Sequence, residues 1–429
     1  MTTPSNDTMQ FLRDLGSVDT LTQAAKQGAE LQSPPVYNSH VHFPPNFSAF
    51  DTVDQAVTMA AEQGVGVLGT GNYYDYSIYQ EFIKLARGKD IFPLFGTEVI
   101  ALDRDLMQQG IRINDPGNPG KIYICGKGIS GFASLNETAK HWLRLIRRSD
   151  TRRMALMTKK MADVFRSGGV DTGLTDQAII DRTAARHQCN RDTIILQERH
   201  LCQAFQERLF EIVEPNQRLS TLSTILGIQP TSKADDTVGL QNEIRSHLIK
   251  AGKPCFVPED FVDLSQACAL IHALGGIVCY PVLADGANPR CEYEVAPEPL
   301  VNRLKAQRIG LVELITIRNE VDVVVEYVTH LRKAGIAVVA GTEHNTLDLI
   351  PLAPTCKGGV PIPEPIREIF WEGICVIAAH QFLTAHGRCG FVDTQGEFNP
   401  AYFSHEVRMT AFKKLGAAVI DAYNAKRSS

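Results

Sequence analysis

The chain has 429 residues, 44% hydrophobic and 21% charged, so a large core can be buried and wholesale disorder is excluded. Lys plus Arg number 43 against 48 Asp plus Glu, a formal net charge of -5, which gives no general attraction to nucleic acid or an anionic membrane, so any anion site must be local. The length fits two or three units or one large α/β barrel at about 150 residues per domain, and excludes a small stapled fold. The 10 cysteines include no CxxC pair, which argues against a zinc ribbon or a thioredoxin-like redox pair and predicts reduced, mostly buried thiols. The amino terminus, MTTPSNDTMQ, lacks a basic region followed by an apolar stretch, and no run of about 18 apolar residues occurs later, so a cytoplasmic protein without membrane association is expected.

Residues 1–30 are expected to form an N-terminal helical extension. After Pro34-Pro35, the run containing His40-Val41-His42 reads as a first strand. Residues two apart on a strand point to one face, so both imidazoles could reach one metal ion; the plainer alternative is a pair of solvent-facing or hydrogen-bonded histidines. Asp51 leads into Val53, Val57 and Ala60 before Gly64, a helix pattern with start and stop signals. Further apolar runs at Val65 to Thr70, Ile91 to Val99, Lys121 to Cys125, Gly276 to Val282, Leu311 to Ile317 and Ile336 to Thr342 alternate with helical patterns, as in parallel strands covered by helices. Ser265 leads into one such helical stretch, which stops at Gly275 and Gly276.

Between about Ser134 and Lys253 strand-like runs vanish. Ser134 with Glu137 reads as a capping box, and Met154, Met157, Met161 and Val164 trace an apolar stripe. Residues 134–253 are therefore expected to be a helical insertion that splits one α/β domain, 31–133 and 254–429, into two sequence segments. The basic cluster Arg144, Arg147, Arg148, Arg152, Arg153, Lys159 and Lys160 carries no interleaved aromatic platform and reads as a solvated helix face rather than a nucleic-acid patch.

Two strand ends carry polar groups: Phe95-Gly96-Thr97-Glu98 and Gly341-Thr342-Glu343-His344-Asn345. Polar ligands at the carboxyl ends of parallel strands are where barrel active sites form. The order of these motifs resembles the polymerase and histidinol phosphatase (PHP) superfamily, over about Tyr37 to Val99 and Pro258 to Asn345. His40 and His42 followed by a helix resemble its opening motif, and Phe95 to Glu98 its "pGiE" strand end. Gly275 to Pro281 resembles its "GGvavlAHP", Ile309 to Leu314 its "GldGiEvy", and Gly341 to Asn345 its closing "GSDxH". The resemblance implies a distorted seven-stranded (β/α) barrel with a metal site and a helical insertion bearing an Arg/His helix like Arg199-His200-Leu201. Where the family has Thr-Asp-His this chain has Thr70-Gly71-Asn72, the His of "AHP" is Tyr280, and a further family His is Tyr123.

The donor set that remains, His40, His42, Glu98, Glu343 and His344, implies one or two divalent ions, with Mn, Zn and Fe all suited to imidazole and carboxylate. Such a site lowers the pKa of bound water and neutralises charge on the group attacked. The resemblance thus implies a metal-dependent hydrolase, a phosphoesterase acting on a small anionic metabolite. Tyr280, Asn72 and His200 are the candidate catalytic residues. Arg112, Lys121, Tyr123, Arg199, Arg318 and Asn345 are the candidates for binding the substrate, with Asp75 also expected to line the pocket. The alternatives are a metal enzyme of the same fold acting on a sugar or hydroxy acid, and a non-catalytic ligand-binding descendant. The oligomeric state is left open, a homo-oligomer included.

Overall fold

The computed structural model describes residues 8–28, 34–258 and 261–426. Among the described residues eight strands form two sheets. The first holds β1 (Val36–Val41), β2 (Val65–Thr70) and β3 (Phe92–Leu94), all parallel. The second holds β4 (Gly96–Leu102), β5 (Lys121–Lys127), β6 (Ile277–Val282), β7 (Leu311–Leu314) and β8 (Ala337–Ala340) in that order. Here β5 runs antiparallel to both β4 and β6, while β6, β7 and β8 are parallel.

The architecture is mixed α/β, as the alternation predicts, but one continuous (β/α)7 ladder does not form. The run from Ile91 to Val99 is two strands because the N–H of Phe95 donates to the side-chain oxygen of Gln381 (2.8 Å) instead of to a neighbouring strand. No strand ladder among the described residues joins the two sheets, whose backbones meet at isolated bridges, Val41 to Glu343 and Tyr73 to Glu98. Those two bridges bring the ends of β1 and β2 against Glu343 and the start of β4, which assembles the candidate ligands. Gly69 of β2 lets the backbones approach closely, since a Cβ there would stand 2.4 Å from the Ser39 carbonyl oxygen.

Local chemistry explains the helix starts. Helix Val53–Glu62 is capped by the Thr52 hydroxyl, which accepts from the N–H of Gln55, one residue later than Asp51. The long helix Glu137–Ser167 starts from Asn136, whose side chain accepts from the N–H of Ala139; Ser134 does not cap it. Helix Leu264–Ala273 carries a capping box between Asp263 and Gln266 in place of the Ser265 start.

Among the described residues, the chain from Glu137 to Ile249 contributes helices and no strand. It buries its own apolar cluster around Met154, Met157, Met161, Phe165 and Phe205, separate from the core of the sheets. Residues 8–28 hold two short helices, Gln10–Arg13 and Val18–Lys26, and Phe11 packs edge-on against Tyr423 of the last helix. No helix among the described residues is long and apolar enough to cross a membrane. All ten cysteines are free, and most are buried.

Candidate metal centre

His40 and His42 lie at the end of β1 and Glu98 near the start of β4, all three buried. The Glu98 Oε2 atom stands 3.5 Å from His40 Nε2 and 3.2 Å from His42 Nε2. None of these three atoms has a hydrogen-bond partner, nor does His42 Nδ1. Unpartnered polar atoms at this depth are costly in the absence of a cation. Two donors about 2.1 Å from one ion at a tetrahedral angle stand about 3.4 Å apart, so the separations fit a shared divalent ion. Gly71 leaves this space open, because a Cβ there would fall 2.1 Å from His40 Nε2.

The neighbours of the three donors fix their orientation. His40 Nδ1 lies 2.7 Å from Glu313 Oε2, which holds a proton on that nitrogen and leaves Nε2, facing Glu98, as the atom that an ion would take. Glu313 is fully buried and also accepts from Lys127 Nζ (2.8 Å) and the Ser39 hydroxyl (2.5 Å). The Tyr73 hydroxyl donates to Glu98 Oε1 (2.5 Å), leaving Oε2 for the cluster, and its ring stacks on His42. Burial and then the Glu98 charge push the Tyr73 pKa far up, so it stays a neutral donor. Burial and Lys127 act against a proton on His40, and Glu313 with Glu98 outweighs them, raising its pKa to about 9. Burial acts upward on Glu98, and His40 and His42 outweigh it, holding the carboxyl well below its ordinary range.

Glu98 and Tyr73 open into a cavity of about 560 Å³. The sheets and their loops supply Lys121, Tyr123, Arg318, Glu343 and Asn345, and the helical segment supplies Arg153, Glu198, Arg199 and Arg245. Arg153 and Arg245 both pair with Glu198 (2.9 Å each), and Lys121 lies 3.5 Å from Asp115. Arg199 has one hydrogen bond among the described residues, to Asn242 (3.1 Å), and no carboxylate partner there. Burial, then the Arg245 charge, pulls its pKa down to about 10, the mark of a cation short of an anion.

Several candidate residues sit elsewhere or are already engaged. His344 accepts from the Thr342 hydroxyl at Nδ1 (2.8 Å) and donates from Nε2 to the Ile350 carbonyl (2.9 Å), so neither nitrogen is left for an ion. Glu343 lines the cavity, but its Oε2 is taken by Arg318 (2.6 Å) and Asn345 (2.8 Å). His200 caps its own helix through Nδ1, which accepts from the N–H of Gln197 (3.0 Å), and its Nε2 meets the Pro45 carbonyl (3.2 Å). Burial, ahead of the His187 charge, lowers its pKa to about 3, which removes it as an acid or base near neutral pH. Asn72 clamps the backbone of Phe43 through both amide atoms (2.8 and 2.9 Å). Arg112 is outside the cavity, on Glu292, and Asp75 is paired with Arg147 (2.8 Å).

Tyr280 does not line the cavity. It is fully buried and donates to Glu294 Oε1 (2.7 Å), while Glu294 Oε2 accepts from the N–H groups of Leu283 (3.0 Å) and Ala284 (2.9 Å). Burial raises the Glu294 pKa to about 7, against the pull of Tyr280 and the two N–H groups. The native state thus binds this proton more tightly than the unfolded chain, so stability is full below about pH 4.5 and falls as pH rises towards 7. Glu294→Gln can keep the Leu283 and Ala284 N–H bonds on its one oxygen with its NH2 turned to the Tyr280 hydroxyl, which must then accept, and it removes the titration. Its gain over wild type, measured by urea unfolding, is expected to grow between pH 5 and 7 to at most about 3 kcal/mol. Parallel pH profiles for the two proteins would contradict this.

No family model matches the sequence, and no curated protein matches it. Among solved structures, the fold is similar to that of a Bifidobacterium adolescentis protein provisionally described as a metal-dependent phosphoesterase. The TM-score is 0.53 at 15% identity, over 79% of this chain and 96% of that one. An amidohydrolase from Chromobacterium violaceum, with bound sulfate and no metal, covers 78% of this chain and 96% of its own at 16% identity and a TM-score of 0.49. The first likeness agrees in fold with the PHP resemblance that the motifs carry.

Proposed function

We propose that the protein is a metal-dependent hydrolase, a phosphoesterase that acts on a small anionic metabolite. One observation carries this reading: His40, His42 and Glu98 turn unpartnered donor atoms on one buried point beside a cavity whose wall carries both carboxylates and cations, Arg199 and Arg318 among the latter. A divalent ion bound there, manganese, zinc or iron, would acidify a water and neutralise charge on the group attacked. Glu313 and Tyr73 hold His40 and Glu98 in place for it. Arg199 and Arg318 would receive the anionic part of the substrate, Arg199 having no carboxylate partner among the described residues. The helical segment 134–253, an insertion in the α/β unit, roofs the cavity and selects what enters.

The test is elemental analysis of protein purified without a histidine tag, followed by a screen of phosphorylated and unphosphorylated metabolites. Bound metal is expected, with phosphatase activity lost to a chelator and restored by manganese or zinc. A metal enzyme that turns over only unphosphorylated sugars or hydroxy acids would replace the phosphoesterase reading. A protein without metal, whose stability and activity ignore added ions, would mark a binding protein instead.

A further inference from the structure

The number of uncommitted donors decides how many ions the centre takes, an inference that rests on the metal-hydrolase reading. Among the described residues, His40 Nε2, His42 Nε2 and Glu98 Oε2 are the buried donor atoms that converge without hydrogen-bond partners. Glu343 is engaged by Arg318, His344 by Thr342 and Ile350, and Tyr280 by Glu294. Gly71 offers no side chain at all.

The Glu343–Arg318 pair is rigidly tied to the cluster. Glu343 adopts a φ of 60°, which an L-residue rarely takes, and its backbone N–H donates to the His40 carbonyl (2.9 Å) while its carbonyl accepts from the N–H of His42 (2.9 Å). The strained turn therefore ties the backbone of Glu343 to the strand end that carries the two imidazoles, while its carboxylate, in the cavity wall, pairs with the Arg318 guanidinium. A carboxylate in that place could hold a second metal ion; here it holds an organic cation.

We propose that the centre binds a single ion, and that Arg318, held by Glu343, takes the part of a second by supplying positive charge to the bound anion. A guanidinium presents five N–H donors and stays charged, so it can neutralise phosphoryl oxygens, but it cannot acidify a water. Activation of the nucleophile is left to the one ion, and anion binding to Arg318.

The test uses the full-length protein, loaded with manganese and desalted. Metal per chain is measured by plasma mass spectrometry in wild type and Glu343→Gln, and inorganic phosphate binding by calorimetry in wild type, Arg318→Lys and Arg318→Met. One manganese per chain is expected in wild type and in Glu343→Gln. Phosphate affinity is expected to fall about ten- to a hundredfold in Arg318→Met and less in Arg318→Lys. Two or more ions per wild-type chain, or loss of the ion in Glu343→Gln, overturns the single-ion assignment, and unchanged phosphate binding in Arg318→Met overturns the role of Arg318. A wild-type chain that binds no manganese overturns the hydrolase reading itself. Thermal unfolding of each variant shows whether a loss reflects misfolding, and Arg318→Lys, which keeps the charge, decides if Arg318→Met fails to fold.

Discussion

His42→Ala is expected to abolish stoichiometric metal binding while leaving the fold intact. Both ring nitrogens of His42 are buried without a hydrogen-bond partner, so truncation deletes a candidate ligand and breaks no hydrogen bond, though Glu98 loses one of its two neighbouring imidazoles (3.2 Å). The ring stacks on Tyr73, and its loss leaves a cavity costing a few kcal/mol in the apo protein. Removing a partner of a ligand typically costs 10- to 100-fold in metal affinity, and removing one of three ligands should cost more, at least about a thousandfold. Apo stability and metal content should therefore separate: unfolding moves modestly and metal disappears. His40→Ala should lose metal too, but with a larger stability loss, because it strips Glu313 of a partner (2.7 Å). Unchanged metal stoichiometry in both variants would remove the centre from consideration.

The candidate ligands were legible because their signal is local. Two imidazoles at strand spacing and a carboxylate beside a strand need only the strand assignments, and β1 and β2 form where strands are predicted, while β4 begins inside the Ile91–Val99 run and puts Glu98 near a strand start instead of a strand end. What surrounds them depends on strand order. Glu313 and Lys127 lie 186 residues apart and meet because β5, β6 and β7 are neighbours in one sheet. Lys127 stands at the end of an apolar strand and Glu313 inside another, and a charge in such a place was the available sign that each has a buried partner. Tyr280 occupies a position that the motif marks as a ligand, yet Glu294, in a short turn 14 residues later, takes its hydroxyl. No pattern within β6 announces that.

The basic run in the long helix divides for a similar reason. Arg144, Arg148, Arg152 and Lys159 are exposed, in keeping with a solvated face, whereas Arg153 is buried on Glu198. Asp150 and Arg153 both line the cavity. The spacing held a clue: Asp150 continues the stripe of Met154, Met157 and Met161 backwards by one turn, so a charged residue lies on the helix's buried side. A charge on an apolar stripe marks either a buried pair or a site, and here it marks a cavity wall.

Glu313→Gln is expected to lower both stability and metal affinity, by separable routes. The carboxylate is fully buried and serves three partners: His40 Nδ1 (2.7 Å), Lys127 Nζ (2.8 Å) and the Ser39 hydroxyl (2.5 Å). Burial alone would raise its pKa, but Lys127 and His40 outweigh burial and lower it to about 2, so the group is charged at neutral pH. Replacement by the amide leaves the buried Lys127 ammonium without its counter-charge, and breaking a buried pair from one side costs about 3 to 5 kcal/mol. The amide also has only one acceptor oxygen. If that oxygen serves Lys127 and Ser39, its NH2 faces His40 Nδ1, which must then accept, and the imidazole proton moves to Nε2. The nitrogen aimed at Glu98 becomes a donor and can no longer ligate an ion, so metal affinity should fall about 10- to 100-fold. The double variant Glu313→Gln/Lys127→Met separates the two effects, because it removes the stranded charge without restoring the tautomer. Its unfolding midpoint should recover much of the loss while its metal affinity stays low. Metal affinity in Glu313→Gln within twofold of wild type would show that Glu313 serves the fold and leaves the orientation of His40 to its other contacts.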